Sequence, residues 1–268
     1  MKKYISLLKY EFKMILKDSM SIFMIVYPIL MLFICGFLLP AILDKTSTQD
    51  SNGTTITLLI GFVVILSLGG FVMGALLGFS LLENKDENTL INIAVTPVTV
   101  SGYAMFKVAY TYVLAFFGNV FMIGGLKLIA TDKYQVVYLS QTVNLLDNIS
   151  YGQIIIFSLV ASLVIPTIAM IIGAIAKNKI EGFAFMKSSG IIIMVPLLTL
   201  LDTFKDAKQY ILGIVPNFWT VKALLNISLS STNPSDLSYG MYLLIGAVYT
   251  IFLGGICLRF FIKKSNLK

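Results

Sequence analysis

Long, unbroken runs of apolar residues alternate along the chain with short polar stretches. Six of these runs reach about 20 residues, the length with which an α-helix crosses roughly 30 Å of hydrocarbon. They lack the apolar–polar alternation of barrel strands, so the pattern predicts an all-α integral membrane protein. Pro28, Pro166 and Pro196 are expected to kink their helices. The six predicted transmembrane helices are Ser21–Leu43, Thr55–Leu82, Val108–Ala130, Gly152–Ala176, Gly182–Leu201 and Gly240–Ile262.

Residues 1–18 form a separate element before the first span. At about 100° per residue, its lysines fall on one stripe of a helix and its apolar residues face away, as in a helix that lies in the membrane interface. Asp18 or Ser19 is expected to cap the next helix, so that the chain turns before the first span. The alternative is a cytosolic extension of that span. The basic stripe comprises Lys2, Lys9, Lys13 and Lys17, and the apolar face comprises Ile5, Leu8, Phe12, Ile15 and Leu16.

A charged stretch, residues 83–103 (ENKDENTLINIAVTPVTVSGY), separates the second and third spans. Asn88 or Thr89 can cap a short helix within it, and Pro97 can end that helix. Leu90, Ile93 and Ala94 would form its apolar stripe. Such a stripe needs a partner, which is either the bilayer or a cytoplasmic protein.

The two longer outer loops differ in character. Residues 131–151 predict a plain polar loop, whereas residues 202–239 contain an apolar stretch interrupted by Gly213, Pro216 and Asn217. This stretch is too interrupted to span a membrane and too apolar to lie in water, so we expect short re-entrant helices buried in protein. Trp219 would then lie at headgroup depth. An outer surface helix is the alternative.

Charge distribution gives the orientation of the spans. Of the 20 Lys and Arg residues, 14 would lie on the inner side and 6 on the outer side if the N-terminus is cytoplasmic. This bias predicts that both termini are cytoplasmic. It also accounts for the net charge of +7 without a nucleic-acid partner.

Composition excludes most catalytic chemistry. Hydrophobic residues make up 57% of the chain and charged residues 12%, there is no histidine, and both cysteines, Cys35 and Cys257, lie inside predicted spans. No metal site, base-activated nucleophile or buried acid pair is therefore expected. The chain also lacks the G-x-x-x-x-G-K-[ST] loop that cradles ATP phosphates. Asn119 and Lys187 are candidate residues of a transport path, although helix contacts and snorkelling are the alternatives.

Two motifs in their topological places resemble those of ABC type-2 transporter permeases. Residues 83–97 resemble the coupling segment of that family, which runs from acidic residues through Gly-Thr and apolar residues to Thr-Pro; Asn88 stands where the family usually has glycine. Residues 215–224 (VPNFWTVKAL) resemble the segment that precedes the last span of the family, and they include Pro216 and Trp219. The coupling residues that the resemblance implies are Glu83, Asp86, Glu87, Asn88, Thr89, Leu90, Ile93, Ala94, Thr96 and Pro97.

The resemblance implies a permease subunit of an ATP-driven exporter in a bacterial cell membrane. Its expected partners are an ABC ATPase subunit, a second permease subunit, identical or not, and membrane lipids. ATP and Mg would bind the ATPase, and no cofactor is expected in this chain. Because the spans are poor in charge, the expected cargo is a hydrophobic or amphipathic compound, such as a drug, an antimicrobial peptide or a lipid-like molecule. A secondary transporter or channel that works without an ATPase is the alternative.

Overall fold

The computed structural model describes residues 2–46, 51–69, 71–86, 100–138, 141–204, 206–231 and 233–264. The coupling residues from Glu87 to Pro97 lie outside these ranges. The described chain is mostly helical, with one β-hairpin. Five of its helical segments are long and apolar enough to cross a membrane, and a shorter apolar helix covers Gly53–Leu68. These five are Ile25–Lys45, Met105–Lys133, Tyr151–Ile175, Ile180–Leu200 and Tyr239–Lys263.

The described residues of the first half of the chain include six α-helices. Between α2 and α3 the chain forms a π-helical turn, Ile34–Leu38. The predicted second span, residues 55–82, corresponds to two helices, the first of which ends at Leu68 while the second begins at Phe71. A total of six spans therefore remains a prediction. The helices are α1 Lys2–Ile15, α2 Ser19–Phe33, α3 Leu39–Thr46, α4 Ser51–Leu68, α5 Phe71–Asp86 and α6 Val100–Ala130.

In the second half, the part of the chain that the structure describes has five α-helices, four 3₁₀ segments and the hairpin. Strands β1 and β2 pair antiparallel, with Gln135 opposite Asn144, in a loop that the sequence predicts to be plain. The helices are α7 Tyr151–Ala161, α8 Val164–Ile175, α9 Lys179–Ile193, α10 Pro216–Ser228 and α11 Tyr239–Lys264. The strands are β1 Gln135–Tyr138 and β2 Gln141–Asn144, and the 3₁₀ segments are Thr131–Lys133, Val195–Leu200, Asp202–Phe204 and Ala207–Ile214.

Two of the three prolines that were expected to kink helices lie at interruptions of the helices. Proline lacks an N–H and clashes with the carbonyl four residues earlier. Accordingly, α7 ends at Ala161, five residues before Pro166, so that the carbonyl with which this proline would clash lies outside the helix. Helix α9 is followed by a 3₁₀ segment that contains Pro196. Helix α2, by contrast, continues past Pro28 to Phe33.

The turn predicted before the first span is confirmed. Asp18 is the N-cap of α2, and its carboxylate accepts hydrogen bonds from the backbone N–H of Ser21 at 2.9 Å and from the Ser21 hydroxyl at 2.6 Å. These bonds satisfy donors that have no partner inside the helix. The cap therefore fixes where α2 begins, directly after the turn that follows α1.

Among the described helices, α5 and α8 make the most extensive contact with each other, and glycine permits their approach. A Cβ added to Gly74 would lie 3.0 Å from the Ile165 carbonyl oxygen, and one added to Gly78 would lie 3.1 Å from the Ile172 Cβ. The two glycines are four residues apart and so share one face of α5. This is the small-residue packing by which helices associate in membranes, where hydrophobic burial between them supplies little.

We expect Gly74→Ala to destabilise the protein by about 1–3 kcal/mol, since the methyl group would push against backbone of α8. The matched control is Gly124→Ala, because an added Cβ there meets nothing within 4 Å. Thermal unfolding can be followed with a thiol-reactive dye, since Cys35 and Cys257 are both free and buried. Equal unfolding temperatures for the two variants would contradict the close contact.

Candidate coupling site and transport path

A buried polar cluster joins three helices at the end of the molecule where α1 packs. We call Glu11, Ser80, Tyr103 and Lys107 the Glu11 cluster. The Lys107 Nζ lies 3.1 Å from the Glu11 Oε1, and the Tyr103 hydroxyl donates to the same oxygen at 2.8 Å. Lys107 also donates to the Ser80 hydroxyl at 2.5 Å. Glu11 is 3% exposed and Lys107 0%, so the ion pair is shielded from water.

The sequence builds this cluster from ordinary helical spacing. Tyr103 and Lys107 are four residues apart, so they share one face of α6, and the Lys107 ammonium lies 5.1 Å from the centre of the Tyr103 ring. Glu11 and Ile15 are likewise four apart, and both are buried among the described side chains of α1. Of the predicted apolar face, Leu8, Phe12 and Leu16 are exposed, whereas Ile15 is buried against the rest of the protein.

The Glu11 cluster lies beside the predicted coupling segment. Ser80 is within the last two turns of α5, and Lys107 is within about the first two turns of α6. The predicted coupling segment connects the end of α5 to the start of α6. Glu83 and Asp86 lie in the last turn of α5, and the other predicted coupling residues lie outside the described ranges. Any force on the segment therefore reaches helices that are tied to α1.

Several helix interruptions meet further along the molecule, in what we call the break layer: Ser67, Asn119, Ser162, Ile193 and Asn217. The Asn119 side-chain amide donates to the Ser162 hydroxyl at 3.2 Å, where α7 gives way to α8. The Asn217 amide donates to the Ile193 carbonyl at 2.8 Å, where α9 ends. Asn119, a predicted path residue, thus contacts a helix break.

The break layer also contains polar atoms that lack partners among the described residues. These include the Ser67 hydroxyl and the Asn217 side-chain oxygen. Both residues line a cavity of about 20 Å³ together with Asn119 and Thr220, which is room for one water molecule. Asn217 also lines an apolar cavity of about 160 Å³ between α8, α9, α10 and α11. The layer therefore offers hydrogen-bonding groups beside a space for an apolar ligand.

A second buried ion pair lies at the opposite end, near the hairpin. The Lys222 Nζ is 3.3 Å from the Asp236 carboxylate. Burial lowers the pKa of Lys222, and the charge of Asp236 offsets this only in part. Burial alone would raise the pKa of Asp236, but hydrogen bonds from Ser231 and Gln209 and the charge of Lys222 together lower it. Asp236 is therefore ionised at neutral pH.

The interrupted loop between the fifth and sixth predicted spans folds as 3₁₀ segments followed by α10. Pro216 begins α10, and the Trp219 indole N–H donates to the Gly213 carbonyl at 2.9 Å while its ring stacks on Tyr210. Most side chains of α10 are buried. The helical segments agree with the expectation of short helices; their depth in a membrane stays a prediction.

The remaining predicted site residues lie on the surface. Lys9, Lys13, Lys17 and Lys187 are exposed, and the Lys187 ammonium lies 5.2 Å from the centre of the Phe183 ring. Lys187 is thus separate from the break layer and from the two buried ion pairs. Of the two predicted path residues, only Asn119 lies among other polar groups in the interior.

Sequence reasoning missed Glu11, Ser80, Lys222 and Asp236, and it counted Lys107 only as an inner charge. A signal for Glu11 was present, because it is the one acidic residue of α1, between Tyr10 and Phe12. No comparable local signal marks Asp236, since its partner Lys222 lies on a different element.

These features define a helical, multi-pass membrane protein with polar helix breaks in its interior. A sequence profile of the family described as "Fluoroquinolones export permease protein Rv2686c-like" matches residues 11–258, so the chain belongs to that family of export permeases. It is therefore a transport protein of a bacterial cell membrane rather than an enzyme.

Two curated relatives come from Mycobacterium tuberculosis. "Fluoroquinolones export permease protein Rv2686c" of strain H37Rv and "Fluoroquinolones export permease protein MT2760" of strain CDC 1551 / Oshkosh are each 25% identical to the chain over 252 residues. Each alignment covers 92% of this chain and 89% of the relative. No solved structure matches the chain.

We expect Lys107→Met to lower stability by about 3–5 kcal/mol, because the buried Glu11 carboxylate would lose its cation. The double variant Glu11→Leu/Lys107→Met should recover most of that loss, since it removes both buried charges together. Lys187→Met is the matched control at an exposed lysine. Unfolding temperature in detergent measures all three, and a double variant as unstable as the single would contradict the pairing.

Proposed function

We propose that the chain is the membrane-spanning subunit of an ATP-driven exporter that moves amphipathic drugs out of the cell. A separate ATPase subunit would supply the energy, and a second permease subunit, identical or not, would complete the transporter. ATP and Mg would bind to the ATPase. Both termini would be cytoplasmic, which puts the Glu11 cluster at the inner end and the hairpin at the outer end.

The Glu11 cluster carries the coupling part of this proposal. An ATPase that pushes on residues 87–97 needs a stiff connection from that segment to the spans. Helices α5 and α6 flank the segment, and the buried contacts of Glu11 with Lys107, Tyr103 and Ser80 tie both helices to α1. A displacement of the segment would therefore move three helices as one body.

The drug part of the proposal has two supports. The Mycobacterium tuberculosis relatives are named for fluoroquinolone export, and they align with nearly the whole chain. The break layer supplies amide and hydroxyl groups beside an apolar cavity of about 160 Å³. Drug-binding sites commonly combine a mostly apolar lining with a few polar groups.

A secondary transporter or channel is the second candidate. It would require ionisable groups along an intramembrane path, where they are costly and therefore functional. In the part of the chain that the structure describes, the buried ionisable residues with charge are Glu11, Lys107 and Lys222. Each of them takes part in an ion pair near one end of the molecule. These pairings favour a structural role for the charges over a proton or ion relay.

The coupling proposal predicts that Leu90→Asp/Ile93→Asp abolishes association with the ATPase. Two charges on the apolar stripe would have to be desolvated in the docking cleft, at a cost that exceeds the gain from contact. The measurement is recovery of the ATPase with the tagged chain from native membranes in mild detergent.

Asn92→Asp is the control for that double variant. At about 100° per residue, position 92 lies on the opposite side of the same predicted helix, so a charge there should leave the ATPase bound. Full recovery of the ATPase with Leu90→Asp/Ile93→Asp, in chains that unfold at the wild-type temperature, would place the contact elsewhere.

The export proposal predicts ATP-dependent accumulation of norfloxacin, a fluoroquinolone, in everted membrane vesicles. Uptake should fall to the background level with Leu90→Asp/Ile93→Asp and persist when a protonophore removes the proton gradient. Uptake that needs the gradient and not ATP would instead establish the secondary transporter.

A further inference from the structure

The proposed function assigns no role to a large cavity at the hairpin end of the molecule. It measures about 770 Å³ and lies between the start of α4, strand β1, helix α10 and the loop after α10. We call it the hairpin vestibule. Ligand cavities for drug-sized molecules generally fall between about 300 and 1,000 Å³. Its described lining includes the apolar residues Ile56, Leu59, Val137, Leu200, Leu225 and Leu229.

Among the described lining residues, the charged groups of the vestibule are Lys222, Asp236 and Asp206. Asp236 is saturated with donors: the Ser231 hydroxyl at 2.7 Å, the Gln209 amide at 3.0 Å, Lys222 at 3.3 Å and the Tyr242 hydroxyl at 3.3 Å. An ammonium group has three N–H donors. Among the described residues, only Asp236 accepts from Lys222. The pair therefore has unused donors and no unused acceptor beside the vestibule.

The unused donors of Lys222 favour a ligand that carries an anionic group. Lys222 is only 7% exposed, so a cation there gains much from a second anionic partner that arrives through the cavity. Asp206 is exposed and lines the same cavity, where it offers a carboxylate to a cation. The apolar walls between these charges suit an aromatic or aliphatic body.

We propose that the hairpin vestibule binds an amphipathic zwitterion, with the ligand's carboxylate on the Lys222 ammonium and the ligand's ammonium toward Asp206. The inference rests on the proposed function, because it takes the exported drug as the occupant, and it narrows the cargo to compounds that carry both charges. In the proposed orientation the vestibule opens on the outer side, so it is the site from which the drug leaves.

The test uses norfloxacin, which carries a carboxylate and an amine, and its methyl ester, which lacks the carboxylate charge. Their fluorescence reports binding to the complete transporter in lipid nanodiscs without nucleotide. We expect the wild type to bind the acid about 10-fold more tightly than the ester. Lys222→Met should weaken binding of the acid by the same factor and leave the ester unchanged.

Asp206→Asn provides a second variant at an exposed position, where loss of the fold is not a concern. It should weaken binding of norfloxacin about two- to five-fold and have no effect on N-acetylnorfloxacin, which lacks the amine charge. Lys208→Met is the control and should bind like the wild type, since Lys208 is an exposed lysine in the 3₁₀ segment that begins just after Asp206.

Equal affinity of the wild type for acid and ester would overturn the site, as would a Lys222→Met variant that is folded in nanodiscs and yet loses both ligands equally. In either case, ATP-dependent norfloxacin uptake by wild-type vesicles would leave the exporter proposal standing. Conversely, a Lys222-dependent preference for the acid, without ATP-dependent uptake, would keep the binding site and overturn the exporter.

Discussion

A backbone carbonyl that a helix break exposes inside an apolar interior has no water to bond with, and each unsatisfied group costs several kcal/mol. This protein meets that constraint with long polar side chains from neighbouring elements. The Tyr134 hydroxyl donates to the Cys35 carbonyl in the π-helical turn, and the Asn217 amide donates to Ile193. The Tyr249 hydroxyl donates to Ile214, where the 3₁₀ segment ends. The broken helices can therefore persist only in this packing, which makes each break depend on tertiary contacts.

The two buried ion pairs follow a related logic at the ends of the molecule. Glu11 and Lys107 join α1 to α6, and Lys222 and Asp236 join α10 to the loop that leads into α11. Buried pairs add little net stability over apolar residues of the same size, but a separated partner is costly. Each pair is therefore satisfied only when the two elements that it joins pack in one particular arrangement. In the proposed exporter, the first pair fixes the helices that receive force and the second fixes the helix beside the vestibule.

The sequence predicted those features that depend on local pattern. The continuous apolar runs of α6 and α11 predicted helices because a span must satisfy its own backbone, and Asp18 predicted the cap from its position alone. The break between α4 and α5 was not predicted, since hydropathy counts Gly69 as part of an apolar run. Burial of Glu11 was missed for a different reason: its cation lies 96 positions along the chain, and only tertiary packing brings the two together. The hairpin likewise depends on pairing within a loop whose composition is merely polar.

Packing also decides where the proposed motion can occur. Protein interiors are close-packed and have discrete arrangements, so a displaced helix carries its neighbours unless a break intervenes. Gly74 brings α5 against the backbone of α8 and Gly78 against its Ile172 side chain, and α8 itself packs on α11. A displacement of the predicted coupling segment would therefore move α8 together with α5. Helix α8 begins at the break beside Ser162, and the Asn119 bond there is a single contact at 3.2 Å. In the proposed exporter, the break layer would be the place where α5 and α8 turn relative to α7.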